Sequence, residues 1–163
     1  MPTDVAHKRW WQIFEVIFGV PFLISLGLQL AAPLSLPRGF LSFVIVPLGA
    51  ALISIGMVLA ILARREFARH HQPTDPGHPT TQMITTGVFS ISRNPLCLGG
   101  VCILAGIALV ADLAWAFVLL VPSLVICHYV LILPEERYLS AKFGAEYRRY
   151  TAFVHRWIGR SRS

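Results

Sequence analysis

Four long intervals without charge divide this chain. Twenty-two uncharged residues separate Glu15 from Arg38, 25 separate Arg38 from Arg64, 18 separate Arg93 from Asp112, and 22 separate Asp112 from Glu135. A helix needs roughly 17–25 apolar residues to cross the hydrocarbon core of a bilayer. Backbone groups inside lipid find no water to bond, so a helix that satisfies its own hydrogen bonds is the economical solution. The intervals therefore predict four transmembrane helices. Composition agrees: 55% of the 163 residues are hydrophobic, only 13% are charged, and the mean hydropathy is +0.64. Soluble domains carry about 25% charged residues. A single all-α integral membrane domain over 1–163 is expected.

The basic residues predict the orientation. Four spans return the N-terminus, the 64–93 loop and the C-terminal tail to one side. That side would carry 13 of the 14 Lys and Arg, with Arg38 alone opposite. Basic residues favour the cytoplasmic side, so both termini are expected there, at a bacterial inner membrane. Trp10, Trp11 and Trp157 suit the lipid–water boundary. The net charge of +6 is read as this bias plus attraction to anionic headgroups. No nucleic-acid motif accompanies it, so membrane lipids, not nucleic acid, are the expected partners. The stretch from Val16 to Pro37 is too long for a signal-peptide core and no cleavage site stands out, so it reads as a retained helix. Cys97, Cys102 and Cys127 lie in or beside apolar segments and read as packing residues.

The expected elements follow from breakers and periodicity. Residues 1–10 form a polar arm. Helices are expected at about 11–32, 39–63, 95–110 and 113–133, with residues 64–71 extending the second into water. Glu15 lies one turn inside the first helix and can reach the interface. Pro33 to Arg38 makes an outer turn, Gln72 to Thr81 a Pro-rich loop, and Pro122 a kink. Gly49 and Gly56, seven apart, suit close helix packing. Gly99, Cys102 and Gly106 give the third helix one face of little bulk. Pro134-Glu135-Glu136 reads as the opening of a last helix. There Phe143, Tyr147, Tyr150 and Val154 form an apolar stripe, predicting an amphipathic helix along the membrane surface. His70, His71 and His78 have no Cys or carboxylate at metal-site spacing, so no metal is expected.

Two polar clusters flank the third and fourth helices and should return to one leaflet. The first is Thr85-Thr86-Gly87 leading to Arg93-Asn94-Pro95-Leu96-Cys97-Leu98-Gly99. Asn favours the N-cap and Pro the first helical position. The N–H groups and dipole of that helix start suit a carboxylate, and Gly99 would let a ligand approach the backbone. The second cluster is Pro134-Glu135-Glu136-Arg137, whose acids could pair with an ammonium or a ribose hydroxyl. Ordinary helix-start chemistry explains the acids equally well. His128, seven residues before Glu135, shares its face if the fourth helix continues past Pro134. It is a functional candidate near the bilayer edge; a histidine bonded to a neighbouring helix is an equal alternative. An anion site, a cation site and an apolar wall together suit a zwitterion carrying an aromatic base.

These residues resemble the isoprenylcysteine carboxyl methyltransferase family in its small bacterial form, with phospholipid N-methyltransferases as relatives. The resemblance covers roughly Phe67 to Trp157. It rests on Thr85-Thr86-Gly87 with Arg93-Asn94-Pro95 through Gly99, and on Glu135-Glu136 with Phe143-Gly144, Tyr147, Tyr150 and Val154-His155-Arg156-Trp157. It implies a cytoplasm-facing S-adenosylmethionine site in which Asn94, Pro95, Leu96, Leu98 and Gly99 shape the pocket. Glu135 and Glu136 would hold polar groups, and Arg93 and His128 complete the expected set. Cys97 stands where the family has Tyr, so an aromatic wall and a hydroxyl are missing. The implied activity is methyl transfer to a lipophilic or small acceptor, a carboxylate, thiol or amine. Only an amine would need a base, for which His128 is the candidate. The competing readings are a nicotinamide-dependent membrane reductase and a non-catalytic scaffold or transporter subunit.

Overall fold

The computed structural model describes residues 14–36, 39, 42–71 and 81–161. Among them the regular elements are helical, with one isolated antiparallel bridge between Val154 and Arg160. A π-helical turn, Glu15–Gly19, runs into α1 (Val20–Ala31). Then follow α2 (Ser42–Arg69), a 3-10 turn (Gly87–Ser90) and α3 (Pro95–Val110). The chain closes with α4 (Ala114–Cys127), a second π turn (His128–Ile132), α5 (Leu133–Phe143) and α6 (Ala145–Phe153). The expected arm at 1–10, Trp10, Trp11, the breaker Pro37, Arg38 and His78 lie outside the described residues.

Among the described residues, two helices are long and apolar enough to cross a membrane: α2, with 28 residues, and the continuous helix Ala114–Phe143, with 30. In their most apolar windows only 11% and 22% of residues are buried, whereas the core helix of a soluble protein is mostly buried. Leu23, Leu30, Phe43 and Val121 stand exposed on the outside, an apolar surface suited to lipid. Glu15–Ala31 and α3 are apolar but shorter.

Small residues decide how α2 and α3 meet. Gly49 faces Gly106 and Gly56 faces Gly99, so the helices run in opposite directions. A Cβ on Gly56 would stand 2.5 Å from the Gly99 carbonyl oxygen, and one on Gly106 would stand 2.5 Å from that of Gly49. Only glycine permits this approach, which replaces side-chain packing with backbone contact. On the other side α1 packs on α4, and Ile17, Phe18, Cys127 and Ile132 form a buried cluster. The helix ends far from the polar clusters are tied as well. Asp112, in the left-handed region at φ 59°, accepts the Leu36 N–H at 2.8 Å. Trp115 Nε1 donates to the Ala32 carbonyl at 2.7 Å.

The fourth helix differs from expectation. It does not stop at Leu133 for a new helix to open at Pro134; one helix runs from Ala114 to Phe143. Proline lacks the N–H and its ring crowds the carbonyl four residues back. The π turn at His128–Ile132 lies just before Pro134 and widens the ladder there. The π turn at Glu15–Gly19 precedes Pro21 in the same way. The break comes instead at Gly144, whose φ of 51° ends α5 and starts α6. The expected apolar stripe is thus divided: Phe143 ends α5, Tyr147 and Tyr150 lie on α6, and Val154 follows it in the bridge to Arg160. The second helix does continue through Arg64, as far as Arg69.

Candidate functional site

Glu136, on the first turns of α5, is the point where the two polar clusters meet. Arg93 Nη1 donates to its Oε1 at 3.0 Å. Arg156 grips the same carboxylate with two bonds, Nε to Oε1 at 2.9 Å and Nη2 to Oε2 at 2.7 Å. Paired bonds of this kind fix orientation as well as adding energy. The segment after α6 is also zipped to the segment before α3. Arg93 N donates to the His155 carbonyl at 3.1 Å and Gly159 N to that of Ile91 at 2.9 Å. Asn94 Nδ2 reaches the Arg156 carbonyl at 3.4 Å, and the Tyr150 hydroxyl donates to the Phe89 carbonyl at 2.7 Å. Burial pushes the Tyr147 and Tyr150 phenols above their ordinary values; the Glu136 charge adds to the rise at Tyr147, while Arg93 opposes it at both. Both phenols therefore stay protonated near neutral pH, and that of Tyr150 serves as a donor. The bonds that Arg156 donates to Glu136 push its guanidinium above the ordinary value in turn.

The expected site residues fall into distinct roles. Arg93, Asn94 and Glu136 are joined through Arg156 in one network. Asn94 occupies the N-cap of α3 but makes no side-chain cap bond; its amide is turned to Arg156 instead. The opening N–H groups of α3 therefore lack a side-chain cap. Pro95 is buried at the helix start, and Leu96 packs against the cluster of Ala63, Ile84, Val88 and Phe89. Leu98 is half-buried. The open space at Gly99 that could admit a ligand is filled by α2 at Gly56.

Glu135 differs from its neighbour. It is exposed and carries no hydrogen bond or ion pair among the described residues. His128 is half-buried and stands edge-on to Tyr129, with ring centroids 5.0 Å apart. The helix continues from His128 to Glu135, but the intervening π turn inserts extra backbone. Positions seven apart therefore no longer stack as they do in a plain α-helix.

Two residues escaped the site reading of the sequence. Glu66, near the end of α2, is 6% exposed. It accepts bonds from Thr86 Oγ1 and Arg69 Nη1, each at 2.8 Å. A Cβ on Gly87, where φ is 56°, would lie 2.6 Å from Glu66 Oε1. This acid is what the Thr86-Gly87 turn wraps around. Its signal in the sequence is a single carboxylate among Arg64, Arg65 and Arg69. Arg156 was visible as part of a motif, but its partner was not.

An open cleft of about 400 Å³ adjoins the network, lined by Arg93, Leu133, Glu136, Arg137, Ser140, Tyr147 and Thr151. Ligand sites commonly occupy roughly 300–1,000 Å³. Arg93 Nε is buried without a hydrogen-bond partner among the described residues.

Comparison with known families bears on this geometry. The family model described as phospholipid methyltransferase matches residues 44–146, well over half of the chain. The chain belongs to the phospholipid methyltransferase family. Its members are membrane methyltransferases, grouped with the isoprenylcysteine enzymes that the motifs resemble. The matched stretch takes in both polar clusters and ends before Arg156. No curated protein and no solved structure gives a significant match.

Proposed function

We propose that this member of the family transfers a methyl group from S-adenosylmethionine to a lipophilic or small acceptor at the cytoplasmic face of the membrane. One observation carries the reading: Arg93, before α3, and Arg156, after α6, share the carboxylate of Glu136, while Glu135 next to it has no hydrogen bond or ion pair among the described residues. The residues suit the donor. Arg93 and the uncapped start of α3 would take its carboxylate. Glu135 would take its ammonium or ribose hydroxyls. Leu96, Leu98 and Pro95 would supply apolar wall. Asn94, Glu136 and Gly99 would act as support, the first two by holding Arg156 and Arg93, the third by seating α3 against α2.

The donor, when bound, supplies a methyl carbon already activated by its sulfonium. The chain then has to orient the acceptor and exclude water, and orientation alone can supply roughly 7–11 kcal/mol. A carboxylate or thiolate acceptor arrives deprotonated. An amine must lose a proton, and His128 would be the base that takes it. Cys97, in the position of the family Tyr, leaves the wall less bulky and widens the choice of acceptor.

The membrane arrangement belongs to the same proposal. Four helices cross or enter the bilayer, both termini are cytoplasmic, and α5 and α6 run into the interface. With 16 residues, α3 spans about 24 Å at 1.5 Å per residue. That is less than the roughly 30 Å hydrocarbon core, so its polar start is drawn beneath the headgroups, where a lipid can enter sideways.

The test is to incubate membranes with and without this protein with methyl-labelled S-adenosylmethionine and extract the lipids. Label in an organic-soluble product only when the protein is present is the expected result. No protein-dependent label, with no donor binding by the purified protein, overturns the reading. Saturable binding of a nicotinamide dinucleotide in its place favours a reductase.

A further inference from the structure

The sulfur atoms of Cys97 and Cys127 lie 3.4 Å apart, across the boundary between α3 and α4. Cys97 is half-buried on the first turn of α3, and Cys127, fully buried, is the last residue of α4 before the π turn. Both pack with Ile17, Phe18 and Ile132. All three cysteines are free thiols, and the third, Cys102, lies five residues after Cys97 along α3.

We propose that Cys97 and Cys127 form a reversible disulfide, with a hydroperoxide as oxidant, that closes down the site at the start of α3. An S–S bond is about 2.05 Å long, so the two sulfurs need to approach by only about 1.4 Å. One thiol of the pair, as its thiolate, attacks the peroxide and takes one oxygen to become a sulfenic acid, while the second oxygen leaves as water or an alcohol. The other thiol then attacks that sulfur, forming the S–S bond and releasing one water. A dithiol reductant reverses the step by exchange, its own two thiols becoming a disulfide.

The placement gives the bond a consequence. Cys97 stands three residues after Asn94, and Cys127 abuts the His128–Ile132 turn, which leads to Glu135. Drawing the sulfurs together pulls the α3 start toward α4 at the place where the α4 backbone leaves regular geometry. Displacements near 1 Å are enough to spoil a positioned site. This regulatory role rests on the methyl-donor site proposed above; the thiol pair itself does not.

The test uses the full chain in lipid nanodiscs. After hydrogen peroxide in slight molar excess, free thiols are blocked with N-ethylmaleimide and peptides are mapped by mass spectrometry. A linked Cys97–Cys127 peptide with maleimide on Cys102 alone is expected. Sulfinic Cys97 without a link, or links through Cys102, overturns the pair. Binding of labelled S-adenosylmethionine should fall by about tenfold on oxidation and return with dithiothreitol. Unchanged binding in the linked protein overturns the switch. If the reduced protein fails to bind the donor, the methyltransferase reading and the switch fall together while the linkage map still decides the thiol pair. Cys127→Ser should keep donor binding insensitive to peroxide; should that variant not fold, the wild-type map still decides.

Discussion

Glu136 accepts hydrogen bonds from Arg93 and Arg156, whereas Glu135 beside it carries neither bond nor ion pair among the described residues. Replacing them should therefore give different phenotypes. Glu136→Ala leaves two guanidinium groups without their partner. It is expected to lower stability by about 2 kcal/mol, the partial exposure of the network keeping the loss below that of a fully buried pair. Thermal unfolding in one detergent measures it. Glu135→Ala should change stability by no more than about 0.5 kcal/mol yet weaken S-adenosylmethionine binding about tenfold, or 1.4 kcal/mol. Equal destabilisation by both variants contradicts the division of roles. Glu66→Gln, which removes the charge that pairs with Arg69 and accepts from the Thr86 hydroxyl, should lower the unfolding temperature. It should also make the 81–92 segment more open to limited proteolysis. The acids of the second cluster were legible in the sequence as a pair, but their roles were not. Consecutive helical residues point about 100° apart, and only the docking of the segments carrying Arg93 and Arg156 decides which one is occupied.

At the scale of elements, α3 was legible to its ends because Asn94-Pro95 and Ala111-Asp112 punctuate it on both sides. The end of the fourth helix was not, because Pro134 looks like a breaker and a π turn that absorbs it has no local signature. Glycine spacing on α2 pointed to close packing, and the structure identifies the partners as Gly99 and Gly106. Gly56→Ala should push α2 and α3 apart and cost about 1–3 kcal/mol. Gly27→Ala, on α1 with nothing within 4 Å of the added carbon, should be neutral or stabilising by up to about 1 kcal/mol. Thermal melting of the two variants under the same conditions separates the effects. A Gly56→Ala variant as stable as the parent contradicts the backbone contact.

For the whole molecule, the spacing of charges made the helical membrane class readable, since few folds hide 22 or 25 uncharged residues in a row. It could not show that α1 and α3 fall short of α2 in length, because turn residues consume part of each interval. The proposed topology puts residues 34–36 and 112 outside and the 93–94 and 155–161 segments inside. Ser35→Cys should then react with an impermeant maleimide in right-side-out vesicles, and Ser161→Cys only in inverted ones, above the background of native thiols. Labelling of both from the same side contradicts four crossings.

The proposed methyl transfer requires a sulfonium donor held between the start of α3 and the start of α5. Ultraviolet crosslinking of labelled S-adenosylmethionine to the purified protein in nanodiscs, followed by peptide mapping, tests it most directly. Saturable label on peptides covering 93–99 and 133–137, lost in Glu135→Ala, is the expected result. Label confined to other segments, or label undiminished by Glu135→Ala, contradicts it.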